Sequence, residues 1–132
     1  MLKGWKSKRQ LSLFVALALS AGGTFFSDVQ PVYAADVTGG DVFVDGSSAH
    51  PIPAAPVAGG AITNASDNGN VTGNKLTLNG ILLNGDIYGG YTLGSGDATQ
   101  NEVILENGAY LGSSYEGYGG WSANGNATHN TI

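Results

Sequence analysis

Residues 88–103 read YGGYTLGSGDATQNEV and residues 118–132 read YGGWSANGNATHNTI. Tyr88-Gly89-Gly90-Tyr91-Thr92 returns as Tyr118-Gly119-Gly120-Trp121-Ser122 thirty residues on. Gly96-Asp97-Ala98-Thr99-Gln100-Asn101-Glu102-Val103 returns as Gly125-Asn126-Ala127-Thr128-His129-Asn130-Thr131-Ile132 twenty-nine residues on, so the loop between the two blocks has lost one residue. A weaker copy precedes both, in Gly59-Gly60-Ala61-Ile62-Thr63 and Gly69-Asn70-Val71-Thr72-Gly73-Asn74-Lys75-Leu76. Glycine pairs recur by chance in a glycine-rich chain, but a whole ordered pattern does not.

Each unit follows one pattern. A Gly-Gly pair, read as a turn because glycine reaches left-handed dihedrals at little cost, leads to a Gly-Asp or Gly-Asn turn. A short apolar strand follows, Leu76-Thr77-Leu78 or Val103-Ile104-Leu105, and then Asn79-Gly80 or Asn107-Gly108 closes it. Such strands at a fixed period indicate an all-β chain, a β-solenoid or β-helix with repeats of about 30 residues. Asn74, Asn101 and Asn130 recur at equivalent sites. They suit an amide ladder down the stack and, equally, the ordinary preference of Asn for turns. Tyr88, Tyr91, Tyr110, Tyr115, Tyr118 and Trp121 cluster near the glycine pairs, which suits rung-upon-rung packing. Exposed Tyr and Trp also serve carbohydrate- and protein-binding surfaces.

Composition agrees with the pattern. Residues 35–132 hold 19 of the chain's 22 glycines and all 11 asparagines. Glycine costs a helix interior about 1 kcal/mol relative to alanine, which leaves turn-rich β structure. No cysteine is present, so disulfides and thiolate metal sites are excluded. From residue 35 onward nine carboxylates face one base, Lys75, and such a surface repels nucleic acid and anionic lipid.

The N-terminus carries Lys3, Lys6, Lys8 and Arg9, an apolar run from Leu11 to Leu19, and the small-residue stretch VYAAD over 32–36. This is the order of a secretory signal peptide over 1–34, with Val32 and Ala34 in the peptidase subsites and the cut before Ala35. The apolar run, broken by Ser20, Gly22 and Gly23, falls short of the ~20 residues of a spanning helix. Secretion machinery is the partner that this leader implies. Residues 35–58 are read as an opening segment with a short Val42/Val44 strand and a Pro-rich linker at Pro51, Pro53 and Pro56. Residues 59–132 are the repeats, the last incomplete.

The blocks YGGYTLGSGDATQNEVIL and YGGWSANGNATHNTI resemble repeats in the passenger regions of bacterial autotransporter-type surface proteins. The likeness is good over about 85–132 and loose over 59–84. It implies a β-helical passenger that a C-terminal β-barrel carries through the outer membrane, displayed at the cell surface as an adhesin-like stalk for a host or cell-surface ligand. No barrel follows Ile132, and truncation of a longer product is the expectation. The open rung at Asn130 to Ile132 is then expected to self-associate. The motif residues are Tyr88, Gly89, Gly90, Asp97, Asn101, Tyr118, Gly119, Gly120, Asn126 and Asn130.

Catalytic signatures are missing. The turns lack the tandem spacing of calcium-roll nonapeptides, which leaves Asp86 and Asp97 as weak calcium ligands at most. His50 and His129 are too far apart in pattern to suggest zinc. Paired acids for glycoside cleavage are not concentrated, since Asp97 corresponds to Asn126 and Glu102 to Thr131. Asn64, Asn70 and Asn126 begin glycosylation-type triplets that composition alone generates. The expectation is a non-catalytic protein without cofactor or metal, serving structure or binding. The alternative is the N-terminal part of a secreted β-helical carbohydrate-active enzyme, or else a secreted fragment without independent function.

Overall fold

A computed structural model describes residues 35–132. The leader read at 1–34, and the Ala34/Ala35 cut at its end, lie outside the described residues. The first turn of the stack contains β1 (Val37–Thr38), β2 (Asp41–Val44) and β3 (Val57–Ile62). The second contains β4 (Val71–Thr72), β5 (Lys75–Asn79), β6 (Leu82–Leu83) and β7 (Ile87–Thr92). The third contains β8 (Ala98–Thr99), β9 (Glu102–Glu106), β10 (Tyr110–Leu111) and β11 (Gly117–Ser122), and β12 (Ala127–Thr128) begins another.

Every pairing between these strands is parallel and joins one turn to the next. The sheets run β1-β4-β8-β12, β2-β5-β9, β3-β7-β11 and β6-β10. The described chain is thus a β-solenoid of about three turns, as the repeats indicated. Its register is the one read from the sequence: Gly60, Gly90 and Gly120 share a column, as do Lys75 and Glu102, with Thr131 bridged below. The stack also extends upstream of Gly59. Val37-Thr38-Gly39-Gly40-Asp41-Val42 is a further copy of Val71-Thr72-Gly73-Asn74-Lys75-Leu76. It escapes notice because Gly40 stands at the Asn position and its spacing is stretched to 34 residues. The extra length falls in residues 45–56, which carry no strand.

Two details of the expected turns are corrected. Gly59-Gly60, Gly89-Gly90 and Gly119-Gly120 are not turns but lie inside β3, β7 and β11. Glycine is required there by close approach: a Cβ at Gly89 would lie 2.2 Å from the Gly119 carbonyl oxygen, and one at Gly59 would lie 2.5 Å from the Lys75 carbonyl carbon. The left-handed corners are elsewhere, in the column Gly39 (φ 67°), Gly73 (65°), Gln100 (57°) and His129 (56°). Secondly, Asn79 pairs with Glu106, so Gly80 is matched by Asn107, and Gly108 is an extra residue of the third turn.

Gln100 tests the corner. A non-glycine residue in the left-handed region costs about 1–2 kcal/mol, partly offset in any exchange by the larger unfolded-state entropy of glycine. Gln100→Gly is expected to raise the urea midpoint by an amount worth about 0.5–1 kcal/mol. A lowered midpoint would contradict the assigned corner.

Alternation along the strands points Val44, Val57, Leu76, Leu78, Leu83, Ile87 and Val103 inward as one core. In β5, Leu76, Thr77 and Leu78 are all buried. Among the described residues no helix is long and apolar enough to cross a membrane.

Candidate functional site

The motif residues divide into an inner set that builds the stack and an outer set that remains accessible. Asn74 and Asn101 are buried, and with Asn130 they form a continuous amide ladder. Asn101 Oδ1 accepts both the backbone N–H and the side-chain Nδ2–H of Asn74, each at 3.0 Å. Asn130 Oδ1 does the same for Asn101, at 2.9 and 3.1 Å. The three Nδ2 groups also donate to the carbonyls of Val37, Val71 and Ala98 at 3.0, 2.9 and 2.8 Å. Both readings of these asparagines therefore meet at one place, a corner closed by a ladder.

The glycine pairs make room for it. A Cβ on Gly60, Gly90 or Gly120 would stand 2.5, 2.4 or 2.4 Å from Cγ of Asn74, Asn101 or Asn130. An outer column runs alongside: Asp36 Oδ1 accepts Asn70 N–H at 2.7 Å, Asn70 Oδ1 accepts Asp97 N–H at 3.0 Å, and Asp97 Oδ1 accepts Asn126 N–H at 2.8 Å. Asp97 and Asn126 thus join turns. Asp86 does likewise, its Oδ1 accepting Glu116 N–H at 2.8 Å. Among the described residues no three of His, Cys, Asp and Glu are placed to hold a metal ion. His50 lies 3.5 Å from the Asp45 carboxylate and edge-on to Phe43, while His129 occupies a left-handed corner.

The outer face of β3-β7-β11 carries the aromatic groups. Tyr88 stacks on Tyr118 with ring centres 5.3 Å apart and planes 8° off parallel. Tyr91 stacks on Trp121 at 4.8 Å and 10°. These separations follow the ~4.8 Å strand spacing, because parallel in-register strands place equivalent side chains one rung apart. Tyr88 and Tyr91 meet edge to face at 4.8 Å, which locks the two columns together. All four rings are half-buried, so the two roles read from the sequence, packing and exposure, belong to the same side chains. Tyr110 and Tyr115 are exposed outside these stacks.

Two carboxylates edge the platform. Tyr118 Oη donates to Glu116 Oε2. That bond, chiefly, holds the Tyr118 phenol well above its ordinary range, pushed up to about 12. The Tyr88 phenol is also raised, first by burial and then by Asp86, Tyr91 and Glu116. A raised phenol pKa favours the neutral form in the folded chain. Its stabilisation is complete below the unfolded value of about 10 and disappears as pH climbs through the folded one. In a phenolate absorbance titration, a component near 12 is expected. Glu116→Gln should move that component down, and an unchanged curve would contradict the Tyr118–Glu116 bond.

Beside the platform lies a recess of about 530 Å³. It is lined by Pro53, Pro56, Asn84, Asp86, Tyr88 and Tyr91, among others. In the strand register Ala58 pairs with Tyr88 and Ala61 with Tyr91, so the first turn carries no ring in either column. Sequence reasoning missed these small residues and the proline lining. The aligned glycine pairs held the signal, since they already set Ala61 opposite Tyr91. Comparison of the chain with family models, with curated proteins and with solved structures finds no match.

Proposed function

We propose that this chain is an exported bacterial surface protein whose β-solenoid displays a binding face and has no catalytic role. The carrying observation is the pair of ring stacks, Tyr88/Tyr118 and Tyr91/Trp121, presented half-open on strands fixed by the solenoid. Rings so fixed lose little conformational entropy on meeting a ligand, which makes them efficient contact residues. The leader over 1–34 supports export, and the passenger-like repeats support a destination at the outer membrane or beyond. The turn-to-turn hydrogen bonds of Asp97 and Asp86 support a structural role for these carboxylates. A host or cell-surface molecule is the proposed partner, and nucleic acid is disfavoured by the acidic surface.

Export and display are tested together in cells producing the full chain. The reading expects material starting at Ala35 and antibody labelling of intact cells. An uncut chain confined to the cytosol would overturn it.

A further inference from the structure

We propose that the recess lined by Pro53, Pro56, Asn84, Asp86, Tyr88 and Tyr91 binds one ring of a neutral sugar, as part of an uncharged glycan. The proposal rests on the binding face argued above and names its ligand class. In both aromatic columns the third turn supplies a ring that covers one face of the second-turn tyrosine, Tyr118 over Tyr88 and Trp121 over Tyr91. On the first-turn side the register places alanine in both columns. Among the described residues no ring stacks on that side of either tyrosine. A pyranose is about as broad as the missing side chain, and its axial C–H groups are the positive partner that the negative face of an aromatic ring attracts.

The polar groups of the recess suit hydroxyls. Asp86 accepts hydrogen bonds, and Asn84, exposed at the rim, both donates and accepts. Pro53 and Pro56 add apolar lining to that of the rings. The volume of about 530 Å³ lies within the range of small-molecule sites and fits a mono- or disaccharide.

Charge narrows the class. Asp86 and Glu116 flank the rings, and Lys75, the only Lys or Arg among residues 35–132, is held on β5 at 3.0 Å from Asp41. A uronate, sulfate or sialate would meet carboxylates and no compensating cation. A quaternary ammonium ion is best held by rings on several sides, and only Tyr88 and Tyr91 line this recess. A neutral ring requires what is present, one apolar face and a few hydroxyl partners.

The test uses the purified chain, ring fluorescence and saturation-transfer NMR. Methyl glucoside, lactose, maltose, cellobiose and chitobiose are the neutral probes, with heparin and choline as charged controls. At least one neutral probe should saturate the site, with no binding of heparin. Asn84→Ala, at an exposed side chain, should weaken binding about tenfold, equivalent to about 1.4 kcal/mol. Ala58→Tyr should abolish it by completing the ring column, with the β circular dichroism spectrum retained. Failure of every neutral probe, binding that survives Ala58→Tyr in the folded chain, or choline binding that responds to both variants would overturn the proposal. Surface labelling reports separately. A displayed chain that binds no sugar loses the ligand class only, while a cytosolic chain that binds sugar loses display only.

Discussion

Asn101→Ala is expected to unfold the solenoid or bring it to the edge of unfolding at room temperature. The side chain is fully enclosed and sits between two other ladder members. Its removal deprives the Asn74 N–H and Nδ2–H of their acceptor Oδ1, and the Val71 carbonyl of its donor. Water cannot replace these partners without opening the stack. Each orphaned buried group costs about 1–3 kcal/mol, so the loss is about 4 kcal/mol or more. That is comparable with the whole stability of a small domain, about 5–15 kcal/mol. Asn101→Asp is the informative companion. It keeps an acceptor for Asn74 but loses the amide donors and buries a carboxyl, which enclosure holds above its ordinary pKa. A raised carboxyl pKa stabilises the fold below the unfolded value of about 3.9, and the contribution is lost as pH rises through the folded one. The Asp variant should therefore melt higher in acid relative to wild type than at neutral pH. Equal destabilisation across pH would argue that the site is solvated.

Gly90→Ala is the second large effect, produced by adding one methyl group. The new Cβ would stand 2.4 Å from Asn101 Cγ, with the whole amide within 2.6 Å. No rotamer change relieves this contact, because all the polar atoms of Asn101 are engaged. The strand must move away from the ladder or the ladder must break. Overpacking alone costs about 1–3 kcal/mol, and the ladder bonds put at risk add to it, so about 3 kcal/mol or more is expected. Gly85→Ala serves as the control, since a Cβ there meets nothing within 4 Å and the backbone is not left-handed. Denaturation curves should separate the two clearly. Similar midpoints would mean that β7 does not press against the Asn corner.

Gly90 also shows where sequence reading ends. The period, the solenoid architecture and the register of Gly60, Gly90 and Gly120 were legible because similar residues recur in the same order. The reason for those glycines was not. Glycine is used for left-handed corners and for close approach alike, and both leave the same letter. The corners instead fall partly on Gln100 and His129, residues that carry no turn signal. The Asn ladder was half legible, since asparagine favours turns and ladders equally, and only the depth and partners of Asn74 and Asn101 show that corner and ladder coincide. The upstream turn was hidden at Gly40, where the ladder residue is replaced while its N–H still donates to Asn74 Oδ1 at 2.8 Å. At the candidate site, the rings were visible as a cluster. The recess was not, because it depends on Ile52, Pro53, Ala55 and Pro56 returning beside Tyr88 and Tyr91.

The outer face of the solenoid depends on the ladder inside it, so the most direct measurement is hydrogen exchange of the Asn side-chain amides by NMR. The Nδ2 protons of Asn74 and Asn101 should exchange slowly, with cross-peaks from Asn101 to both Val71 and Asn130. Exchange as fast as that of Asn64, whose Nδ2 lies on an exposed loop, with no such cross-peaks, would contradict the stacked solenoid.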